Sequence, residues 1–250
     1  MNRTFDENLD KLRTRLIRMG SLVEEQVEFA IRALHEGNVQ LAQIVIDRDD
    51  KVDKLDLKID KQCQRIFALN QPVASDLRLL LAAIKINNEL ERIGDMAASV
   101  ASTVIAHPSA PQLGLEISID SLSKAVHKLI SSSIDAFINN DPDLAAHILP
   151  TDARVNTLSS ELQATLTSIM MERSETVSDG AQLLICIHTL GRMADHATNI
   201  AENVIFLVKA KLVRHRSVNE DAIDFSELLD QPDPDDSGGE DNPTEVGGPS

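Results

Sequence analysis

The chain has 250 residues, with six Phe and neither Trp nor Tyr, and a formal net charge of −16. The acidity is local: residues 217–250 hold eleven Asp or Glu and no Lys or Arg, which leaves 24 basic and 29 acidic residues, about −5, for the first 216. This composition excludes a membrane-spanning helix, which needs ~20 uninterrupted apolar residues. It also offers no basic patch of the kind that neutralises nucleic-acid phosphates, so no nucleic-acid partner is expected.

The apolar content is mostly Leu, Ile, Val and Ala, which suits long helices packed side by side. In the first predicted helix, Leu9, Leu12, Leu16, Met19, Val23, Val27, Ala30 and Leu34 follow steps of three and four, so they share one stripe. Asn38 fits the cap of a second helix, whose stripe is Leu41, Val45, Val52, Leu55, Ile59 and Ile66. Asn70-Gln71-Pro72 ends it, because proline disfavours helix at the preceding residue. A third helix is predicted over about 73–106, closed by Pro108-Ser109-Ala110-Pro111. A fourth carries Leu115, Ile119, Leu122, Val126, Leu129, Ser133 and Phe137. Asn140-Asp141-Pro142 then supplies a cap and a first-turn proline. The fifth helix runs to about 173 with a kink at Pro150, and the sixth spans about 178–213. The Pro- and Gly-rich segment 217–250 cannot bury enough apolar surface to fold alone and is expected to be a disordered acidic tail, with a short helical turn near 222–229.

The chain repeats itself. Leu90-Glu91-Arg92-Ile93-Gly94-Asp95 returns as Leu190-Gly191-Arg192-Met193-Ala194-Asp195, and residues 33–42 match 136–145. Asp49, Val52, Asp53 and Leu55 correspond to Asp152, Val155, Asn156 and Leu158. Three helices thus recur in order, and a unit of this length is a small domain rather than a solenoid repeat. The expected fold is all-α: two tandem three-helix bundles related by internal duplication, over 1–107 and 115–215, with a linker at about 107–114 and the tail at 217–250. Cys63 and Cys186 sit inside apolar patterns, which implies inert buried thiols, no disulfide framework and a reducing compartment. The start of the chain lacks the apolar core of a signal peptide, so a cytoplasmic protein is expected.

The candidate chemistry is acidic. At ~100° per residue, Glu91 lies ~100° and Asp95 ~140° from Leu90 at the centre of the third helix's stripe, so both face away from the bundle core. Four residues apart, they are stacked neighbours. The second helix adds Asp49, Asp53, Asp56 and Asp60 at its stripe edge. Oxygen-only ligands on two adjacent helices suit hard or borderline cations such as Mg²⁺, Mn²⁺ or iron. An exposed Glu-x-x-x-Asp that water merely screens is the competing reading. His188 and His196 are expected to be solvated or hydrogen-bonded, and Arg92 and Arg192 to pair with the acidic rows. There is no phosphate-cradling Gly-rich loop, no nucleophile–base arrangement and no inward Glu-x-x-His pair of a di-iron enzyme.

Leu90-Glu91-Arg92-Ile93-Gly94-Asp95 resembles the hallmark of the PhoU family of phosphate-transport regulators. So do Gln71-Pro72-Val73-Ala74-Ser75-Asp76-Leu77-Arg78 and Asp195-His196-Ala197-Thr198-Asn199-Ile200-Ala201-Glu202. The resemblance covers about residues 4–213. It implies metal sites at Glu91, Asp95, Asp49 and Asp53 in the first half, and at Asp195, Asn199, Asp152 and Asn156 in the second, for divalent or iron-group ions (Mg, Mn, Fe or Zn). Two positions depart from the pattern: Ser99 stands where Asn is usual, and Gly191 where Glu is usual.

The resemblance further implies a non-enzymatic, cytoplasmic negative regulator of the phosphate-starvation response. Its expected partners are a sensor histidine kinase and the ATPase subunit of the ABC phosphate importer, with membrane contact only through those partners and with a second copy as a homodimer. The alternatives are a metal-dependent helical-bundle enzyme and a purely structural or metal-binding scaffold.

Overall fold

The computed structural model describes residues 3–213 and 223–224. Among these residues eight α-helices carry the fold. The first three are α1 (Arg3–Glu36), α2 (Val39–Leu69) and α3 (Ser75–Ala106), followed by a short α4 (Ala110–Glu116). The remainder are α5 (Asp120–Asn139), α6 (Pro142–Ile148), α7 (Asp152–Glu172) and α8 (Val177–Lys209). α1, α2 and α3 pack pairwise, and α8 packs on α5, α6 and α7. Two similar helical units therefore follow one another, as the repeat predicts.

The helix ends follow local chemistry. Gly37, at φ 62°, makes the turn out of α1, and the Asn38 side chain accepts a hydrogen bond from the Leu41 amide at 2.9 Å to open α2. Asp141 accepts from the amides of Asp143 and Leu144 to open α6, with Pro142 in its first turn. The kink expected at Pro150 is a turn of 3₁₀ helix over Leu149–Thr151, where proline has no amide to donate.

Four expectations change. The predicted fourth helix is broken, because Ser118 adopts φ 60° between α4 and α5. The linker expected at 107–114 is partly helical and packed, with Ala110 and Leu113 buried. The sixth predicted helix stops at Lys209, where Ala210 turns left-handed at φ 54°. Lys211–Leu212 then pairs antiparallel with Ile223–Asp224, so this part of the expected helical turn at 222–229 is extended. The rest of that turn, and the rest of the tail expected at 217–250, lie outside the described residues.

The two units share one apolar core. The seam is α3 against α8, which run antiparallel: His107 at the end of α3 meets Asp179 at the start of α8 (3.3 Å), while Lys85 lies over the Phe206 ring. Both helices bury small residues, Ala82, Ala83, Ala97 and Ala101 of α3 and Ala194, Ala197 and Ala201 of α8. α1 also touches the second unit, where Ile134 of α5 sits above Gly20. Among the described residues no helix is long and apolar enough to cross a membrane.

Candidate functional site

The acidic face is assembled by the close approach of α2 and α3. Gly94 is buried against Val52; a Cβ there would lie 3.2 Å from Val52 Cγ1. With the helices this close, one carboxylate oxygen from each of Asp53, Glu91 and Asp95 falls within 4.8 Å of the others. Asp53 and Asp95 are exposed and Glu91 is half-buried. Asp49 and Asp56 flank the trio closely enough for their charges to act on Asp95 and Glu91 respectively.

Two buried amides support this face from below. Gln26 of α1 donates through Nε2 to Asp49 at 3.0 Å and to the Gly94 carbonyl at 3.4 Å, tying three helices together. Asn87 of α3 donates through Nδ2 to Asp56 at 2.6 Å and to Asp60 at 3.3 Å. Both are fully buried, and among the described residues Gln26 Oε1 and Asn87 Oδ1 have no hydrogen-bond partner.

Burial and crowding raise the proton affinity of the face. The carboxyls of Asp49, Asp56, Glu91 and Asp95 all sit above their ordinary range. Desolvation is the largest cause in each case, and neighbouring carboxylates add to it. Arg92 opposes the shift at Glu91 and Asp95. The face is thus a set of hard oxygen donors with an excess of negative charge, the donor chemistry that suits a hard or borderline cation.

The second-half residues are placed differently. Gly191 offers no carboxylate beside Asp195, which is exposed on α8. Asp152 accepts from its own helix neighbour Asn156 at 3.0 Å. Asn199 turns across the seam and donates to Glu89 of α3 at 3.2 Å. His196 joins it, with Nδ1 2.5 Å from Glu89 Oε2, so it is a hydrogen-bonded histidine, whereas His188 is exposed. Among the described residues Asp53, Glu91 and Asp95 are the one such group of potential ligands. Sequence reading missed Gln26, Asn87 and Glu89. The first two carried a signal, a polar residue inside an apolar stripe; Glu89 carried none.

A further correction concerns charge. The sequence shows no basic run, yet the structure has a basic groove between α1 and α2, lined by Arg18, Arg48, Lys51, Lys54 and Lys58. These residues are dispersed among acidic ones in the chain and converge only when the two helices pack.

A family profile described as PhoU domain matches residues 16–104 and again 119–204, once for each unit. The chain belongs to the PhoU family. It is 37% identical over 211 residues to the phosphate-specific transport system accessory protein PhoU of Serratia marcescens, covering 84% of this chain and 87% of that one. The PhoU homolog of Pseudomonas aeruginosa is 36% identical over 218 residues, covering 86% and 89%. The crystal structure of PhoU from Pseudomonas aeruginosa superposes with a TM-score of 0.79 at 36% identity, over 82% of this chain and 99% of that one. The phosphate transport system regulatory protein PhoU from Streptococcus pneumoniae gives 0.72 at 26% identity, over 84% and 99%. The names of these relatives describe an accessory protein and a regulatory protein of phosphate transport.

Proposed function

We propose that this chain restrains the phosphate-starvation response, reading the state of an ABC-type phosphate importer and holding a sensor histidine kinase in its repressing state by protein–protein contact. The observation that carries this reading is the double PhoU match, which spans both units. The names of the relatives, accessory and regulatory proteins of phosphate transport, support the same direction. The ATPase subunit of the importer is the contact on the transporter side, the protein works in the cytoplasm, and it meets the membrane only through these partners. A homodimer is part of the proposal and is read by sedimentation.

The trio Asp53, Glu91 and Asp95, with Asp49 beside it, would hold a divalent or iron-group cation. Bound there, the ion supplies positive charge to a desolvated acidic face; no catalytic step is assigned to it. The residues themselves position the site: Gln26 fixes Asp49, Asn87 fixes Asp56, and Gly94 keeps α2 and α3 close enough for their carboxylates to meet.

Co-purification tests the partner assignment. Tagged protein is expected to retain the kinase and the transporter ATPase from a detergent extract of phosphate-replete cells. Recovery of neither, with the tagged protein intact, contradicts it.

A further inference from the structure

α2 presents opposite charge on two sides. Asp49, Asp53, Asp56 and Asp60 face α3, while Lys51, Lys54 and Lys58 line the groove against α1. That groove has a volume of about 510 Å³ and opens over Leu22 and Leu55, which pack on the core. Arg48 is held by Glu25 at 2.9 Å, and Lys54 by Asp50 at 3.2 Å. Arg18, Lys51 and Lys58 are exposed and form no ion pair among the described residues. The equivalent groove of the second unit, about 620 Å³, is lined by Lys124, Lys128 and Arg154, and there Lys124 is held by Asp120 at 2.5 Å. The first groove therefore has the larger unsatisfied positive charge, in a chain whose net charge is −16.

The same chain carries the complement. Residues 225–250 hold eight carboxylates and no Lys or Arg. They begin Phe225-Ser226-Glu227-Leu228-Leu229-Asp230, apolar and acidic residues interleaved, and continue through Asp233, Asp235, Asp236, Glu240 and Asp241. A groove with an apolar floor and a cationic rim calls for that composition. We propose that segment 225–250 docks in cis into the α1–α2 groove, its carboxylates meeting Arg18, Lys51 and Lys58.

Reach permits this. The backbone at Asp224 is anchored by its pairing with Lys211. From there 26 residues span at most ~90 Å, whereas the 34-residue α1 is ~51 Å long. Tethering also gives the segment a high effective concentration at the groove. The docked segment would act as an intramolecular competitor for any acidic partner of the same surface.

Zero-length carbodiimide crosslinking of the full-length protein, read by peptide mass spectrometry, tests the proposal. Amide links are expected between Lys51, Lys54 or Lys58 and carboxylates of 225–250. They should form within one chain when isotopically labelled and unlabelled protein are mixed. The yield should fall at least fivefold at 0.5 M salt, where the screening length is ~4–5 Å. It should fall similarly at Lys54 and Lys58 in Arg18→Ala/Lys51→Ala protein, and when Asp233, Asp235 and Asp236 are changed to Asn. Unchanged helical circular dichroism controls for folding. Links that run instead to Lys124 and Lys128, links only between chains, or no link from the segment to the three groove lysines would overturn it.

Discussion

His196 of α8 places Nδ1 2.5 Å from the Glu89 carboxylate of α3, and both side chains are largely shielded from water. Asn199 donates to the same oxygen at 3.2 Å. This is a polar clasp across the seam between two units that sequence presents as separate. It predicts that the units unfold together. Replacing either Glu89 or His196 by Ala leaves its partner underbonded and should cost about 1–2 kcal/mol, a drop of roughly 2–8 °C in Tm for a chain of this size. In a double-mutant cycle by urea denaturation, a coupling of about 0.5 kcal/mol or more is expected. Additive effects, or two separate unfolding transitions, would show that the clasp does not join the units.

Metal binding should depend on the first half. Glu91→Gln with Asp95→Asn, or Asp53→Asn, is expected to reduce metal retained by purified protein, measured by elemental analysis after dialysis, to less than a tenth. Asp195→Asn and Asp152→Asn should leave retention near the parent level, because those residues are not gathered with two other carboxylates. Equal losses from both sets would contradict this division.

Without metal, the acidic face opposes folding. The folded carboxyls of Asp49, Asp56, Glu91 and Asp95 bind protons more tightly than in the unfolded chain. In the window from the ordinary carboxylate range up to the raised folded values, the native state holds more protons. Stability contributed by these groups is therefore present below that window and lost as pH rises through it. Metal-free protein should gain stability when Asp95 is changed to Asn, by a few tenths of a kcal/mol for relief of the Glu91 neighbour. The gain should be larger at pH 7.5 than at pH 4.5. Calorimetry in chelator showing the reverse order would refute this.

The thiols should be silent in the native state. Burial pushes the Cys63 thiol up to about 12 and raises Cys186 as well. Both side chains are at most 1% exposed. Labelling by a chromogenic disulfide at pH 8 should proceed only at the rate of unfolding and become immediate in denaturant. Fast labelling of one thiol in native buffer would show a local opening that the packing does not contain.

Much of this was legible in the chain. The stripes of α1, α2 and α3, the caps at Asn38 and Asp141, and the acidic rows of α2 and α3 follow from spacing and turn chemistry alone. Periodicity states which face of a helix is buried but not against what, so the α3–α8 seam and the Glu89–His196–Asn199 clasp had no signature. Ser118 has no residue-type mark of a left-handed turn, so the break between α4 and α5 was invisible. The basic groove was missed for a related reason: Arg18 and Lys58 lie 40 positions apart and meet only because α1 and α2 are antiparallel. Asn199 matched a ligand position in the family pattern, yet its amide is committed to Glu89.

Deletion of the gene tests whether the protein restrains the phosphate response. In phosphate-rich medium, the deletion strain should express phosphatase and phosphate-uptake genes at starvation levels, and the intact gene supplied in trans should restore repression. Repression that persists in the deletion strain, with no paralogue present, would contradict the account.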